Sequence, residues 1–379
     1  MLFSIGSMRS RETTARPGTT RDSAREVLLV GSVGLKDSEE VFRTVGPLLG
    51  GRMKRIPDGE TGPRTSWVAR LRFVLEGNPA FEDDPKELAA GGRITHPTEG
   101  TRTWKGSSIV PRGAPPPPRM RLKAGVRPED IRIGALGYPE AAIDSYRVLC
   151  RLRKHGVVPK HLRFQVSLPT TAAFLNAHVV YEHHAIVEPI YRRRLFAELG
   201  EILAAVPHDD LAIQWDVSTE MGQWEGVRHA HFPDVKAGVI ERLAAHCNRV
   251  PRDVELGVHL CYGSYGGRHW KEPESTANMV EVHNRLAGKL ERPIDYIHMP
   301  VPVDRADDAY FKPLQEMKLA HETKLFLGLV HDSDGVEGTR KRIAVAAKYA
   351  RGFGIAAECG FGRRPPETIP NLLRVHAEA

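Results

Sequence analysis

The chain predicts a closed (β/α)8 barrel, or TIM barrel, with a large insertion between its second and third strands. Three observations predict it. Eight short runs are nearly continuous in hydrophobicity, as parallel strands covered on both faces are. Amphipathic stretches of helical length separate most of them. The length, 379 residues, suits one large α/β barrel with an insertion.

Taken in order, Val27–Ser32 is the first apolar run and ends in the turn pair Gly31-Ser32. Ser38–Leu49 carries a helical apolar pattern, and Met53–Pro57 supplies the second strand before the turn Asp58-Gly59. From Asp58 to Lys160 the rhythm breaks, and this stretch reads as an insertion at one rim, either a lid or an oligomer contact. Within it, Ser66–Leu75 predicts a helical piece, Pro115–Pro118 extended polyproline, Ile131–Gly137 a further strand, and Pro139–Leu152 a helix. The alternation then resumes. Strands are expected at Leu162–Leu168, Leu211–Asp216, Leu256–Cys261, Ile294–His298, Leu325–Val330 and Gly354–Cys359, with helices at Ile190–Ala205, Val235–Cys247, Ser275–Leu290 and Gly338–Tyr349. Such alternation implies a parallel sheet, and eight units favour closure.

Hydrophobic residues make up 41% and charged residues 27%, which supports one sizeable core over residues 26–379. No apolar stretch approaches the roughly 18 residues a membrane span needs. Residues 1–25 hold five arginines against Glu12 and Asp22, with little apolar pattern, and are expected to be a disordered tail. An upstream start codon explains that tail better than a transit leader. The net charge of +7 is partly this tail, and no basic block interleaved with aromatics follows, so nucleic acid and membrane are not expected partners. Four cysteines do not make a disulfide framework. Cys150 and Cys247 read as buried packing residues, and the usage suits a reducing, cytoplasmic setting.

Three strand ends carry soft or imidazole donors: His259-Leu-Cys261, His298 and Cys359. Residues two apart on a strand share a face, so His259 and Cys261 point the same way. Parallel neighbours would gather His259, Cys261, His298 and Cys359 at the C-terminal rim, where barrel enzymes keep their chemistry. Thiolate plus imidazole is a zinc ligand set. Glu60 and Asp216 stand at two further strand ends, placed to hold an ammonium group or shuttle a proton. Gly31-Ser32 offers amides and a hydroxyl to a substrate carboxylate. His331, after the seventh strand, is expected to line the cavity or support a ligand. Asp58 reads as a turn residue. His229-Ala-His231 has a metal-hydrolase pattern but follows no strand, and Tyr181 and His183-His184 fall in a polar stretch expected to be solvated loop.

These residues resemble the catalytic barrel of cobalamin-independent methionine synthase, in the superfamily that includes uroporphyrinogen decarboxylase. The resemblance runs from Val27 to about Arg364. Gly31-Ser32 is similar to the family's Ile-Gly-Ser-Phe-Pro start, Asp58-Gly59-Glu60 with Arg64 to its His-Gly-Glu…Arg loop, and Ile213-Gln214-Trp215-Asp216 to its Ile-Asp-Glu-Pro strand. His259-Leu-Cys261 and Cys359-Gly360 match its zinc motifs, while His298 stands where the family has a glutamate ligand. Asp216 lacks the Glu-Pro pair that follows in the family, and the chain has no room for the family's folate-binding N-terminal half. The resemblance implies a stand-alone, zinc-dependent methyl (alkyl) transferase. A small thiol would be the acceptor and a folate or corrinoid the methyl donor, with Glu60 and Asp216 orienting substrate. The alternatives are a lyase or hydrolase on the same barrel, and a non-catalytic binder of a small molecule.

Overall fold

The computed structural model describes residues 25–91, 117–263, 269–362 and 364–379. The expected tail, apart from Arg25, and much of the expected polyproline run lie outside them. Among the described residues ten strands form: β1 Val27–Leu28, β2 Arg55–Pro57, β3 Phe81–Asp83, β4 Met120–Leu122, β5 Arg163–Pro169, β6 Leu211–Val217, β7 Glu255–Leu260, β8 Tyr296–Pro300, β9 Lys324–Val330 and β10 Gly354–Ala357. Eight of them make one parallel sheet in the order β1-β10-β9-β8-β7-β6-β5-β2. The ring closes at its C-terminal end, where Ser32 bridges Gly59 and the Val33 amide donates to the Gly59 carbonyl at 2.8 Å. This is the predicted (β/α)8 barrel.

Helices ring it. The main ones are α1 Ser38–Leu49, α3 Tyr138–Lys154, α5 His184–Ala205, α7 Val235–Cys247, α8 Ala277–Ala287, α10 Gly335–Ala346 and α11 Ile369–Glu378; the short α2 Pro85–Ala89, α4 Thr171–His178, α6 Thr219–Trp224 and α9 Asp308–Phe311 complete the set. Asp37 caps α1 and Asp234 caps α7, each carboxylate accepting from a first-turn amide. The helix α3 takes the ordinary crossover place between β2 and β5. Among the described residues, what is additional between those strands includes the 3₁₀ turns of Gly62–Val74, the antiparallel pair β3–β4 and α2.

Three expectations need correction. Ile131–Gly137 forms no strand, because the amides of Leu136 and Tyr138 donate to the Glu198 carboxylate and not to a neighbouring strand. The Ser66–Leu75 piece is 3₁₀ turns over Gly62–Val74, kinked at Trp67, where φ is 52° and ψ −125°. Cys150 is exposed, on the outer side of α3, while Cys247 is buried as expected.

Side chains from alternate strand positions fill the barrel in layers. One apolar cluster inside the barrel holds Leu28, Val30, Ala212, Tyr296, Phe326 and Ala356. Two glycines make that cluster fit, since a Cβ on Gly257 would lie 2.0 Å from the Tyr296 ring and one on Gly354 would lie 2.3 Å from Phe326. Above it, Gln165 and Gln214 donate to the carbonyls of Leu29 and Val30. The floor is thus packed and hydrogen-bonded, and the barrel opens at the C-terminal rim.

Candidate metal centre and cavity

The pairing register places Asp216 beside His259 and His259 beside His298, in one layer across β6, β7 and β8. One step higher, Cys261 follows β7, and Cys359 follows β10. The structure brings His259, Cys261 and Cys359 together, with one ligand atom from each lying within 4.8 Å of the others. The two sulfurs are 3.8 Å apart, and Cys359 Sγ is 3.8 Å from His259 Nε2. Neither cysteine is in a disulfide.

These separations suit a tetrahedral ion. Zn–S bonds of about 2.3 Å and a Zn–N bond of about 2.0 Å imply tetrahedral edges of about 3.6–3.8 Å. The donor set also suits zinc, a borderline-soft ion that thiolate and imidazole hold well. The Gly263 amide donates to Cys261 Sγ at 3.3 Å, the contact a thiolate ligand accepts. The hydrogen bond to Cys359, and then burial, raise the Cys261 pKa well above the ordinary thiol value. Burial works to lower the His259 pKa, but Cys359, through its hydrogen bond and charge, outweighs it and the net shift is upward.

His298 stands outside this trio. Its Nδ1 meets His259 Nδ1 at 2.7 Å, and its Nε2 meets the Ala357 carbonyl at 3.0 Å. Both ring nitrogens are therefore engaged away from the two sulfurs. Burial, and then His259, hold its pKa well below the ordinary histidine value.

The trio faces a cavity of about 190 Å³ whose wall includes Gly31, Ser32, Glu60, Trp67, Asp216 and Trp270. Asp216 accepts from Gln214 Nε2 at 2.8 Å, and burial lifts its pKa to about 6. Burial, and then Asp216, raise Glu60 well above the carboxylate range. Gly31 leaves room for the Glu60 carboxylate, since a Cβ there would come within 2.5 Å of Glu60 Oε1 and the carboxylate would have to shift. Asp58 is the expected turn residue. It accepts the Glu60 amide at 2.9 Å and pairs with Arg64 at 2.8 Å. The only positive-φ residues other than glycine among the described ones are Glu60 (47°) and Trp67 (52°), both on this wall. Such strain persists where surrounding contacts enforce it, and it clusters at functional sites.

His331 does not reach the wall. Its Nε2 donates to the Val301 carbonyl at 2.8 Å, and its Nδ1 lies 3.9 Å from Glu358. Glu358 and His269 escaped the sequence reading. They pair at 2.8 Å, directly behind Cys359, and His269 also meets Glu272 at 2.9 Å. Burial works against the charge on His269, yet the two carboxylates lift its pKa to about 10. The adjacency of Glu358 to Cys359 was the available signal; His269 had none. Tyr181 and His183-His184 are not solvated loop either. His184 is buried, and His183 Nδ1 accepts the Leu122 amide at 2.9 Å.

Fold and site together define a parallel α/β barrel with a His–Cys–Cys cluster and two carboxylates at its C-terminal rim. The chain is similar to the solved structure of a B12-independent methionine synthase from Shewanella sp. W3-18-1 in complex with selenomethionine, at 14% identity, over 94% of this chain and 97% of that one, with a TM-score of 0.49. It is also similar to a methyltransferase from Methanosarcina mazei, at 11% identity, over 94% of each chain, with a TM-score of 0.47. No protein-family model matches the sequence, and no curated protein matches it. No helix of the described residues is long and apolar enough to cross a membrane.

Proposed function

We propose that this chain is a zinc-dependent transferase that moves a methyl or small alkyl group onto a thiol, in the manner of cobalamin-independent methionine synthase. One observation carries the reading: three convergent donors, His259, Cys261 and Cys359, flank a cavity that also holds the carboxylates of Glu60 and Asp216. Three protein ligands and one open position are the pattern of a catalytic zinc site. Bound there, zinc would keep an acceptor thiol ionised near neutral pH.

The chain's own residues then orient the substrate. Glu60 and Asp216 give the cavity an acidic pole that suits a substrate ammonium group, and an ammonium there would draw both carboxylates back toward ionisation. Gly31 allows close approach beside Glu60, and Ser32 presents its hydroxyl to a substrate carboxylate. Trp67 and Trp270 on the cavity wall suit a methyl donor with a flat ring system, a folate or a corrinoid.

Metal analysis by mass spectrometry tests the reading, on the wild type and on Cys261→Ser and Cys359→Ser. About one zinc per folded wild-type chain is expected, lost in both variants with the fold kept. Incubation with small thiols and a methyl-folate or methyl-corrinoid should then yield a methylated thiol from the wild type alone. A folded wild type that takes up no zinc on reconstitution overturns the proposal.

A further inference from the structure

His298 was expected to be a fourth ligand, yet it sits where it can do something else. The Ala357 carbonyl can only accept a hydrogen bond, so at 3.0 Å the His298 Nε2 must carry the proton. A neutral imidazole has one N–H, which leaves His298 Nδ1 a bare acceptor. His259 Nδ1, 2.7 Å away, must then be the donor. His259 Nε2 is left with a free lone pair, and that nitrogen faces Cys359 Sγ at 3.8 Å. The opposite proton placement would set two lone pairs against each other at the Ala357 carbonyl.

We propose that His298 is a positioning residue: through the relay Ala357 carbonyl–His298–His259 it fixes the tautomer and aim of His259, and leaves the fourth metal position to the substrate sulfur. The proposal rests on the zinc reading for its purpose, but the proton placement stands on the hydrogen bonds alone. It also explains how one barrel layer couples three strands. Ala357 on β10, His298 on β8 and His259 on β7 form one chain, and Cys359 follows Ala357 by two residues.

Two measurements test it. Long-range proton–nitrogen NMR on histidine-labelled protein, assigned with the variants, reads the tautomers without metal or turnover. The proton is expected on Nδ1 of His259 and on Nε2 of His298. Zinc titration of His298→Ala and His298→Gln gives the second readout. The alanine variant should keep its zinc stoichiometry with affinity lowered about 10–100-fold. The glutamine variant offers an amide donor and acceptor in place of the ring nitrogens, and should recover to within a few-fold of wild type. A proton on His259 Nε2 overturns the inference, as does a folded His298→Ala that loses zinc as completely as Cys261→Ser. A wild type with the expected tautomers but no zinc supports the relay and sinks the transferase reading, so the two failures are distinct.

Discussion

Two histidine-containing polar clusters lie close together in this molecule, and among the described residues only one brings its donors together as metal ligands are brought. The first is the rim trio His259, Cys261 and Cys359. The second lies outside the barrel wall, among α4, α5, α6 and α7, and gathers His184, Glu188, Glu220, His231, Arg242 and His246 around a small cavity. In the second cluster the central carboxylate is already neutralised. Glu188 accepts from His231 at 2.7 Å, Arg242 at 2.8 Å and Arg192 at 3.2 Å. Burial works to raise the Glu188 pKa, but these hydrogen bonds and charges pull it down to about 2. A cation entering there would have to displace a guanidinium that stays charged at every ordinary pH. At the rim the donor atoms of His259, Cys261 and Cys359 converge within 4.8 Å of one another. The difference between a ligand set and a structural polar network is thus whether the donors converge on one point or are already spent on a protein cation.

The largest effect that would sharpen this contrast is on metal content. His259→Ala should lose zinc almost entirely, while His231→Ala should keep the wild-type complement, measured on folded protein by mass spectrometry. Zinc lost equally from both would break the comparison and make the second cluster a metal site. The next effect is on stability. Glu188→Gln strips the counter-charge from Arg242 and Arg192 in a buried setting and should cost about 3–5 kcal/mol in denaturant unfolding. Zinc uptake by the protein that remains folded should not change. By linkage, the stability that Glu188 contributes is present above its ordinary pKa of about 4.5 and is lost as pH falls through about 2.

Much of the first cluster was legible in the sequence, and little of the second. His259, Cys261 and Cys359 stand at the ends of apolar runs, and the period of two along β7 puts His259 and Cys261 on one face whatever the rest of the chain does. The eight barrel strands were legible for the same reason, since a parallel strand buried on both faces has to be apolar throughout. The role of His298 was not legible, because it depends on which atom lies beyond its Nε2, and that atom belongs to a strand two places away in the sheet. Glu60 and Trp67 gave no sign of positive φ, since neither is a glycine. The hairpin β3–β4 joins segments far apart in sequence, so no local turn signal announces it. His229-Ala-His231 looked like a metal motif on spacing alone, and only the distant Glu188 shows that His231 is already committed.

The smallest effect concerns Glu220, and it tests whether the second cluster is as self-contained as its ion pairs suggest. Glu220 is buried, and its Oε2 has no hydrogen-bond partner among the described residues; the same holds for Gln223 Oε1 on the same small cavity. Burial lifts the Glu220 pKa from 4.5 to about 7, with Glu188 adding to the rise and Arg242 opposing it. A carboxylate raised in the folded state favours folding while it stays protonated. That contribution is fully present below about pH 4.5, where folded and unfolded chains both hold the proton, and it is lost as pH rises through about 7. Glu220→Gln removes the titration. Relative to wild type, the variant should therefore gain about 1–3 kcal/mol between pH 5 and pH 8, read as a growing difference in unfolding free energy. A difference that stays flat over this range would mean that Glu220 is ionised throughout. The small cavity would then hold a compensating cation, and the line between the two clusters would have to be redrawn.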